Sequence, residues 1–525
     1  MNILKNKDGI TLIALIITVI VMLILAGVAI SVLTDDGGLF EKTRGAAEAY
    51  ENSAEKEAKQ IDDLMNNIDQ YLAGIPTSKP KTDGSWNGTI NTPKLATGMT
   101  AVYWNDGGQE IELTSSSSKS EWNKWYNYTA QTGSTEAAGS GTSKWANAIT
   151  KDKNGNVTGY WVWIPRYEYK LTTSSKTIDI NFISTKTITP SSSDYTIHPV
   201  FLNDAENGGW DSELPGFWVA KYPAGFQKST INTSGTLQNG SDELKLSNLN
   251  YSQSTTSVNA IGQTPNTSTK ISYPVFKPLT YAYNLINVDS IYRMAREMVN
   301  STDFYGISNA DTHFLKNSEW GAVVYLTWSK YGRNGTEPKI NNVNLKNKDS
   351  KNIYAVTGIY ANGTGNSDTN GSVTGNAYNT SAGQLGSSTG NITGVYDLNG
   401  CIWEYVSAYA NNAHTHLQEY GASIISAEKK YKNVYAKGSS DTSANNYAAN
   451  NFKGDAIRET STSGNSSTSW NGDYSVFPYS DDPYMIRGGI YDYGTRSGIF
   501  AFGHDDYGGL PNNNRGFRYA IVGTL

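Results

Sequence analysis

The C-terminal run of residues 487–525 decides the fold, and it reads RGGIYDYGTRSGIFAFGHDDYGGLPNNNRGFRYAIVGTL. A frame of Arg-Gly-Gly (487–489) at one end and Gly-Phe-Arg (516–518) at the other encloses a segment crowded with Tyr, Asp and Gly. Lys, Glu, Gln, Trp and Met are absent from the whole run. A constant frame around a polar, aromatic filling is typical of a binding surface carried on a rigid scaffold.

The composition favours a protein rich in strands and loops. Of 525 residues only 17% are charged, whereas 51 are Gly and 35 are Tyr. The net charge of −6 provides no basic field, so we expect that the protein binds no nucleic acid. Cys401 is the sole cysteine, which excludes an internal disulfide framework and a metal site made of several cysteines.

The N-terminal segment has the pattern of a membrane anchor. Residues 9–34 carry no charge, two lysines precede them, and two aspartates follow. Residues 10–34 are therefore predicted to cross a bilayer as one helix, at about 1.5 Å rise per residue. The positive-inside rule places residue 1 in the cytoplasm and predicts a single-pass membrane protein with an extracellular C-terminal domain. A cleaved secretory signal peptide is the alternative interpretation.

The segment KDGITLI (residues 7–13) resembles the leader of type IV pilins and pseudopilins. The resemblance implies a leader peptide over residues 1–9, cleavage after Gly9, Ile10 as the new N-terminus, and other pilus subunits as partners. The family has a glutamate at the fifth mature position, where this chain has Ala14. A minor pilin or a plain membrane anchor therefore fits as well as a polymerising pilin.

Residues 35–73 are predicted to form an extracellular amphipathic helix. Ile61, Leu64, Met65 and Ile68 recur at the spacing of one helix face. Residues 74–154 follow as a linker and a small β-rich region.

Strand and helix patterns become dense after residue 155. Residues 160–169 and 216–222 are strand-like, and residues 290–299 and 318–331 are predicted helices. Three further motifs lie in this part of the chain: FWVAKY (217–222), FLKNSEWGAV (314–323) and GVYDLNGCIWEY (394–405).

These three motifs and the C-terminal frame, in this order, resemble the formylglycine-generating-enzyme family, a variant of the C-type lectin fold. The resemblance covers residues 155–525. The predicted fold class is therefore α+β, in which an N-terminal transmembrane, pilin-like helix precedes a loop-rich C-type-lectin-like domain.

The resemblance does not extend to the oxidase chemistry of that family. Its oxidases need two reactive cysteines between the Arg-Gly-Gly and Gly-Phe-Arg elements, and this chain has none there. Cys401 is expected to be a small buried side chain, and His414 and His416 to be solvated. We therefore predict a protein that is not an enzyme and has no redox cofactor. The alternative is an enzyme of this superfamily that uses carboxylates in the same cleft.

The third motif implies a calcium ion, because the matching loop of the family binds one. The ligands carried over are the side chains of Asp397 and Glu404 and the carbonyl groups of Gly400 and Ile402. Hard oxygen ligands suit Ca²⁺. The alternative interpretation is that the carboxylates cap turn amides without a metal.

The filling of the C-terminal frame has one further property. Its residue types are reachable from an Asn codon by changing adenines alone. Lys, Glu, Gln, Trp and Met, which are absent from the run, are not reachable in this way. The run thereby resembles the variable proteins of diversity-generating retroelements, in which such mutagenesis rewrites a ligand-binding face. This implies a variable region over residues 487–518 and an unknown protein or glycan as ligand. A purely structural minor pilin is the remaining alternative. The residues predicted to form the binding face are Tyr491, Asp492, Tyr493, Thr495, Arg496, Phe500, Phe502, Gly503, His504, Asp505, Asp506 and Tyr507.

Overall fold

The structure of the protein is a computed structural model. It describes residues 17–22, 53, 56–57, 81–86, 90–137, 140–226, 273–284, 286–346, 353–360, 366–368, 375–506 and 508–523. The chain divides into two compact units, Met1–Thr77 and Ser78–Leu525.

The structure of the first unit does not support the predicted transmembrane anchor. Residues 17–22 are helical and exposed, while the rest of the predicted span 10–34, the Gly9–Ile10 processing site and nearly all of residues 35–73 lie outside the described residues. Over the whole described part of the chain, the helices are too short or too polar to cross a membrane. The predicted single-pass membrane localisation is therefore not supported, and neither is the transmembrane helix that the predicted fold class included.

The second unit is built mainly from β-strands, with few helices, so the predicted α+β class is wrong for the described residues. The strands are β1 (Thr100–Trp104), β2 (Glu110–Leu113), β3 (Asn147–Lys151), β4 (Val157–Pro165), β5 (Tyr167–Thr172), β6 (Thr177–Phe182), β7 (Thr196–Ile197), β8 (Gly216–Ala220), β9 (Ala310–Phe314), β10 (Val343–Lys346), β11 (Ile353–Ala355), β12 (Ile359–Tyr360), β13 (Asn366–Asp368), β14 (Asn376–Ala377), β15 (Trp403–Asn411), β16 (Asn433–Ala436), β17 (Asn465–Ser466), β18 (Ser475–Val476), β19 (Tyr484–Arg487), β20 (Phe502–His504), β21 (Arg515–Phe517) and β22 (Tyr519–Gly523).

The helices of this unit are short. They are α1 (Lys119–Trp122), α2 (Val288–Glu297), α3 (Thr302–Tyr305), α4 (Asn317–Trp328), α5 (Thr415–Ser426) and α6 (Ser443–Ala449). Helix α2 buries one stripe, whereas every residue of α4 is buried. A helix that is buried on all sides lies within the core rather than on its surface.

Two seven-stranded sheets form the framework. The first has the strand order β2-β1-β3-β4-β8-β22-β9, and the second has the order β16-β15-β19-β20-β18-β17 with β21 paired to β15. The three strands between residues 74 and 154, which the sequence assigns to a linker and small β-rich region, thus complete the first sheet.

The C-terminal run joins the two sheets. β22 lies between β8 and β9, where Ile521 pairs with Trp218 and Ala520 pairs with His313. β19, β20 and β21, which precede it, belong to the second sheet. The end of the chain is therefore part of the framework, and its frame residues are core residues.

Large aromatic side chains of the first sheet pack into the core. Trp161, Trp163 and Trp218 are buried, and the rings of Trp163 and Trp218 lie 5.3 Å apart. Buried aromatic side chains provide the largest apolar area per residue, which is how a chain with few charged and many small polar residues obtains a stable core.

Candidate functional site

The loop of residues 394–405 holds its two carboxylates in protein contacts. Asp397, with φ of 59°, accepts hydrogen bonds from the Asn341 side-chain amide at 2.8 Å and from the Gly358 backbone amide at 2.6 Å. Glu404 forms a two-point ion pair with Arg518, whose Nε and Nη2 lie 2.6 Å and 2.5 Å from the two carboxylate oxygens. All of these side chains are buried.

This arrangement does not fit the calcium site that the resemblance implies. Ca²⁺ takes six to eight oxygen ligands as a rule, whereas here one carboxylate is neutralised by a guanidinium and the other receives two protein donors. Gly400 is required for a separate reason: its φ is 76°, and a Cβ atom there would lie 2.3 Å from the Asn341 carbonyl oxygen. Ile402, the last predicted ligand, contributes a buried side chain to the core.

Burial controls the titration of this loop. It raises the pKa of Asp397 to about 7, against the lowering effect of its two hydrogen-bond donors and of Arg518. Burial also raises the pKa of the Cys401 thiol. A buried thiol with a raised pKa is a packing residue, as expected for Cys401.

About half of the predicted binding face is buried. Phe500 packs against Trp328 and Trp470 with ring centroids 5.2 Å and 5.1 Å away, and Phe502 stacks on Tyr447. The buried members of the predicted face are Tyr491, Phe500, Phe502, Gly503, His504 and Asp505. These residues are core residues, and His504 is the most exposed of them, at 9%.

Asp505 shows why a charged residue of this run is in the core. One carboxylate oxygen lies 2.7 Å from Arg515 Nε, and the other accepts hydrogen bonds from the Tyr405 hydroxyl at 2.6 Å and from the Gly509 amide at 2.7 Å. A buried carboxylate with this many donors stabilises the loop and is not available to a ligand.

The remaining predicted residues are accessible. Asp492, Thr495, Arg496 and Asp506 are exposed, Tyr493 is partly exposed, and Tyr507 lies outside the described residues. The Arg496 guanidinium lies 4.7 Å from the centre of the Tyr493 ring, which is a cation–π contact.

Two tyrosines that the sequence analysis did not include extend this accessible group. The ring of Tyr474 lies 5.7 Å from that of Tyr493, and both rings meet the buried Trp403 edge-on at 5.7 Å. Tyr479 is also partly exposed, and it contacts His504 at 5.1 Å between ring centroids. We call Tyr474, Tyr479, Tyr493, Arg496 and Asp506 the tyrosine face.

The charges of Arg496 and Asp506 both affect the titration of Tyr474. Burial raises the pKa of Tyr474 to about 12, the negative charge of Asp506 adds to this, and Arg496 opposes it. The segment DYSVFPYSDDPY (residues 473–484) carries both missed tyrosines, and its density of Tyr and Asp was the available signal.

An acidic pair surrounds His504 at the border of this face. Its Nδ1 lies 3.2 Å from Asp482 and its Nε2 lies 3.4 Å from Asp506, and the three potential ligand atoms lie within 4.8 Å of one another. Arg515 Nη2 is 3.5 Å from the second oxygen of Asp506 and compensates part of the negative charge. Elsewhere, His416 contacts the Asp481 carbonyl oxygen at 2.6 Å.

Comparison with known proteins finds no matching family model and no matching curated protein. The two family resemblances therefore stay predictions.

Proposed function

We propose that this protein binds a protein or glycan ligand through the tyrosine face and carries out no covalent chemistry on it. The observation that carries the proposal is the cluster of partly exposed tyrosine rings around Arg496, held from below by the buried Trp403. Tyrosine offers a large, rigid contact area at low entropic cost, and Arg and Asp provide polar specificity.

We infer further that this face is diversified in the manner of retroelement variable proteins. The accessible residues of the predicted binding face are all reachable from an Asn codon by changing adenines; they are Asp492, Tyr493, Thr495, Arg496 and Asp506. The frame residues Arg487 and Arg518 are buried, which suits constant positions. Separation of variable surface positions from constant core positions is what such a system needs, because a core substitution commonly destabilises the fold.

The distribution of carboxylates supports binding rather than the alternative of carboxylate catalysis. Glu337 receives hydrogen bonds from the Ile499 amide and the Asn471 side chain, each at 2.8 Å, and Asp473 receives one from the Phe500 amide at 3.0 Å. Both carboxylates thus support the backbone beneath the C-terminal run. A general acid or base needs an open path to its substrate.

Sequencing tests the diversification. The 3′ end of the gene and its flanking DNA would be read from many isolates. We expect differences at codons 492, 493, 495, 496 and 506, each at a template adenine, and a near-copy of the run beside a reverse-transcriptase gene. Codons 487 and 518 serve as internal controls and should not vary. Differences at other bases, or concentrated in core codons such as that of Phe500, would contradict the proposal.

Binding is tested separately on arrays of glycans and purified proteins. We expect Tyr493→Ala combined with Arg496→Ala to lower the signal of any ligand bound by the wild type at least about tenfold, as at an interface hot spot. Lys153→Ala, at an exposed turn between β3 and β4, is the matched control. Equal binding by both variants would remove the tyrosine face from the proposal.

A further inference from the structure

Arg333 is a buried arginine whose guanidinium has no hydrogen-bond partner among the described residues. Its side chain is fully buried, and its Nε, Nη1 and Nη2 atoms all lack a hydrogen-bond acceptor. The backbone is well held, because the Arg333 amide donates to the Thr327 carbonyl at 2.6 Å and the Thr135 hydroxyl donates to the Arg333 carbonyl at 2.8 Å. The residue is thus fixed just after helix α4, with its donors left free.

The other buried arginines of the described residues all have acceptors. Arg515 pairs with Asp505, Arg518 pairs with Glu404, and Arg166 lies 2.7 Å from Glu213. Arg487 donates to the Asn317 side chain and to two backbone carbonyls. A guanidinium has five N–H donors and no acceptor, and leaving them unpaired in a buried place is strongly unfavourable. Arg333 is therefore the exception that requires an explanation.

The surroundings of Arg333 are polar and tightly shaped. A Cβ atom on Gly390 would lie 2.6 Å from Arg333 Nη1 and 3.6 Å from the Thr135 side chain, and Gly390 has a φ of 71°. The next residue, Asn391, donates to the Ser143 carbonyl at 2.7 Å, and the Ser143 hydroxyl is itself buried without a partner. The loop 387–394 thus approaches the guanidinium at Gly390, where a side chain would collide with it.

The guanidinium remains charged at neutral pH. Burial lowers the pKa of Arg333 to about 10, and the nearby Glu136 carboxylate opposes that change. Glu136 is exposed, and none of the described carboxylates forms an ion pair with Arg333. Among the described residues, no carboxylate therefore pairs with this positive charge.

We propose that the Arg333 guanidinium, beside Gly390, forms a binding site for a small oxyanion, such as inorganic sulfate or phosphate or a ligand's carboxylate group. The planar fork of arginine matches two oxygens of such a group, which no halide offers. This site does not include the tyrosine face, and it stands whether or not that face binds a ligand.

Thermal unfolding of the full chain tests the site, with sodium sulfate, sodium phosphate and sodium acetate compared against sodium chloride at equal ionic strength. We expect sulfate or phosphate at millimolar concentration to raise the unfolding midpoint by at least about 2 °C in the wild type. Acetate alone giving the rise would identify a carboxylate as the natural group. Arg333→Met should abolish the rise, and Arg333→Lys should weaken binding at least about tenfold, because a lysine lacks the fork.

A second measurement separates a binding site from a structural arginine. Without oxyanion, Arg333→Met should be at least as stable as the wild type, because it removes an uncompensated buried charge. Arg293→Met, which removes a partly exposed arginine 3.6 Å from Asp289, is the control and should keep the anion-dependent rise. An equal rise of the unfolding midpoint in the wild type and in Arg333→Met would overturn the proposal, as would no rise with any of the three anions. It would also be overturned if Glu136→Gln and Arg333→Met both lost much stability without oxyanion, because Glu136 would then be the partner of Arg333.

Discussion

Removing Arg518 should destabilise the fold more than any other single change of a charged residue in the C-terminal run. Arg518 and Glu404 are no more than 1% exposed and meet in a two-point ion pair. Arg518 also donates to the carbonyl oxygens of Ala220 at 3.1 Å, of Tyr396 at 3.1 Å and of Asp397 at 3.2 Å. The guanidinium thus connects the first sheet, the loop 394–405 and the second sheet.

The size of the effect follows from the charge that is left behind. Arg518→Met leaves Glu404 buried and unpaired, and breaking a buried pair in this way costs about 3–5 kcal/mol. A typical protein is stable by about 5–15 kcal/mol in total, so the variant should unfold at a much lower urea concentration. Tryptophan fluorescence during urea unfolding measures this, since the chain has 13 Trp residues.

The pH dependence of the same variant provides an independent check. Burial raises the pKa of Glu404, and Arg518 opposes that shift. Without Arg518 the folded state holds the proton to higher pH than the unfolded state, so the variant should lose more stability at pH 8 than at pH 5. Glu404→Gln combined with Arg518→Met should recover most of the loss. A loss below about 1 kcal/mol for Arg518→Met alone would refute the reasoning, because it is the value of an exposed pair.

Three further predictions concern buried groups. Burial raises the pKa of Asp455 to about 7, with repulsion from Glu459 adding to it. The folded state therefore holds a proton that the unfolded state has lost, so stability should fall as the pH rises from about 4 to about 7. Asp455→Asn should reduce this pH dependence of the thermal unfolding midpoint. Gly498→Ala should lose at least about 2 kcal/mol in urea unfolding, because a Cβ atom would lie 2.0 Å from an Asp473 oxygen. Phe500→Ala should lose about 3–5 kcal/mol, as for other buried phenylalanines.

Each of these has a matched control. Asp106 is exposed, so Asp106→Asn should leave the pH dependence of stability unchanged. Stability of the wild type that rises with pH over this range would contradict the first prediction. Gly133→Ala meets no atom within 4 Å and should be neutral. Tyr493→Ala should lose less than about 1 kcal/mol, and equal losses for Tyr493 and Phe500 would contradict the division between surface and core.

Local patterns were sufficient for many individual elements. The strand-like residues 160–169 and 216–222 are confirmed as β4 with β5 and as β8, and the two helices predicted near residues 290 and 318 are Val288–Glu297 and Asn317–Trp328. These elements contain runs of aromatic and β-branched residues, or apolar residues at helical spacing, so their own sequence specifies them. The membrane localisation was wrong because it rested on the N-terminal segment alone. The α+β class was wrong because it combined that segment with a family resemblance, whereas the described residues form mainly strands.

The binding face was predicted less well because composition does not indicate burial. Phe500 and Asp505 share the codon pattern of the accessible residues, yet both lie in the core. Their partners are distant in the sequence: Trp328 precedes Phe500 by 172 residues, and Tyr405 precedes Asp505 by 100. Tyr474 and Tyr479 were missed because they precede the C-terminal run in the sequence and lie beside it only in the folded chain.

By itself, the sequence determined which segments form strands and helices and where Tyr, Asp and Arg are concentrated, because these are properties of neighbouring residues. Only the tertiary structure decided which of those side chains meet water. The C-terminal run supplies β22 to the first sheet, and β20, β21 and the last residue of β19 to the second, so long-range pairing rather than composition sets the side that each residue faces. Asp505 and Arg518 lie beside or between these paired strands, and there they are buried with charged partners.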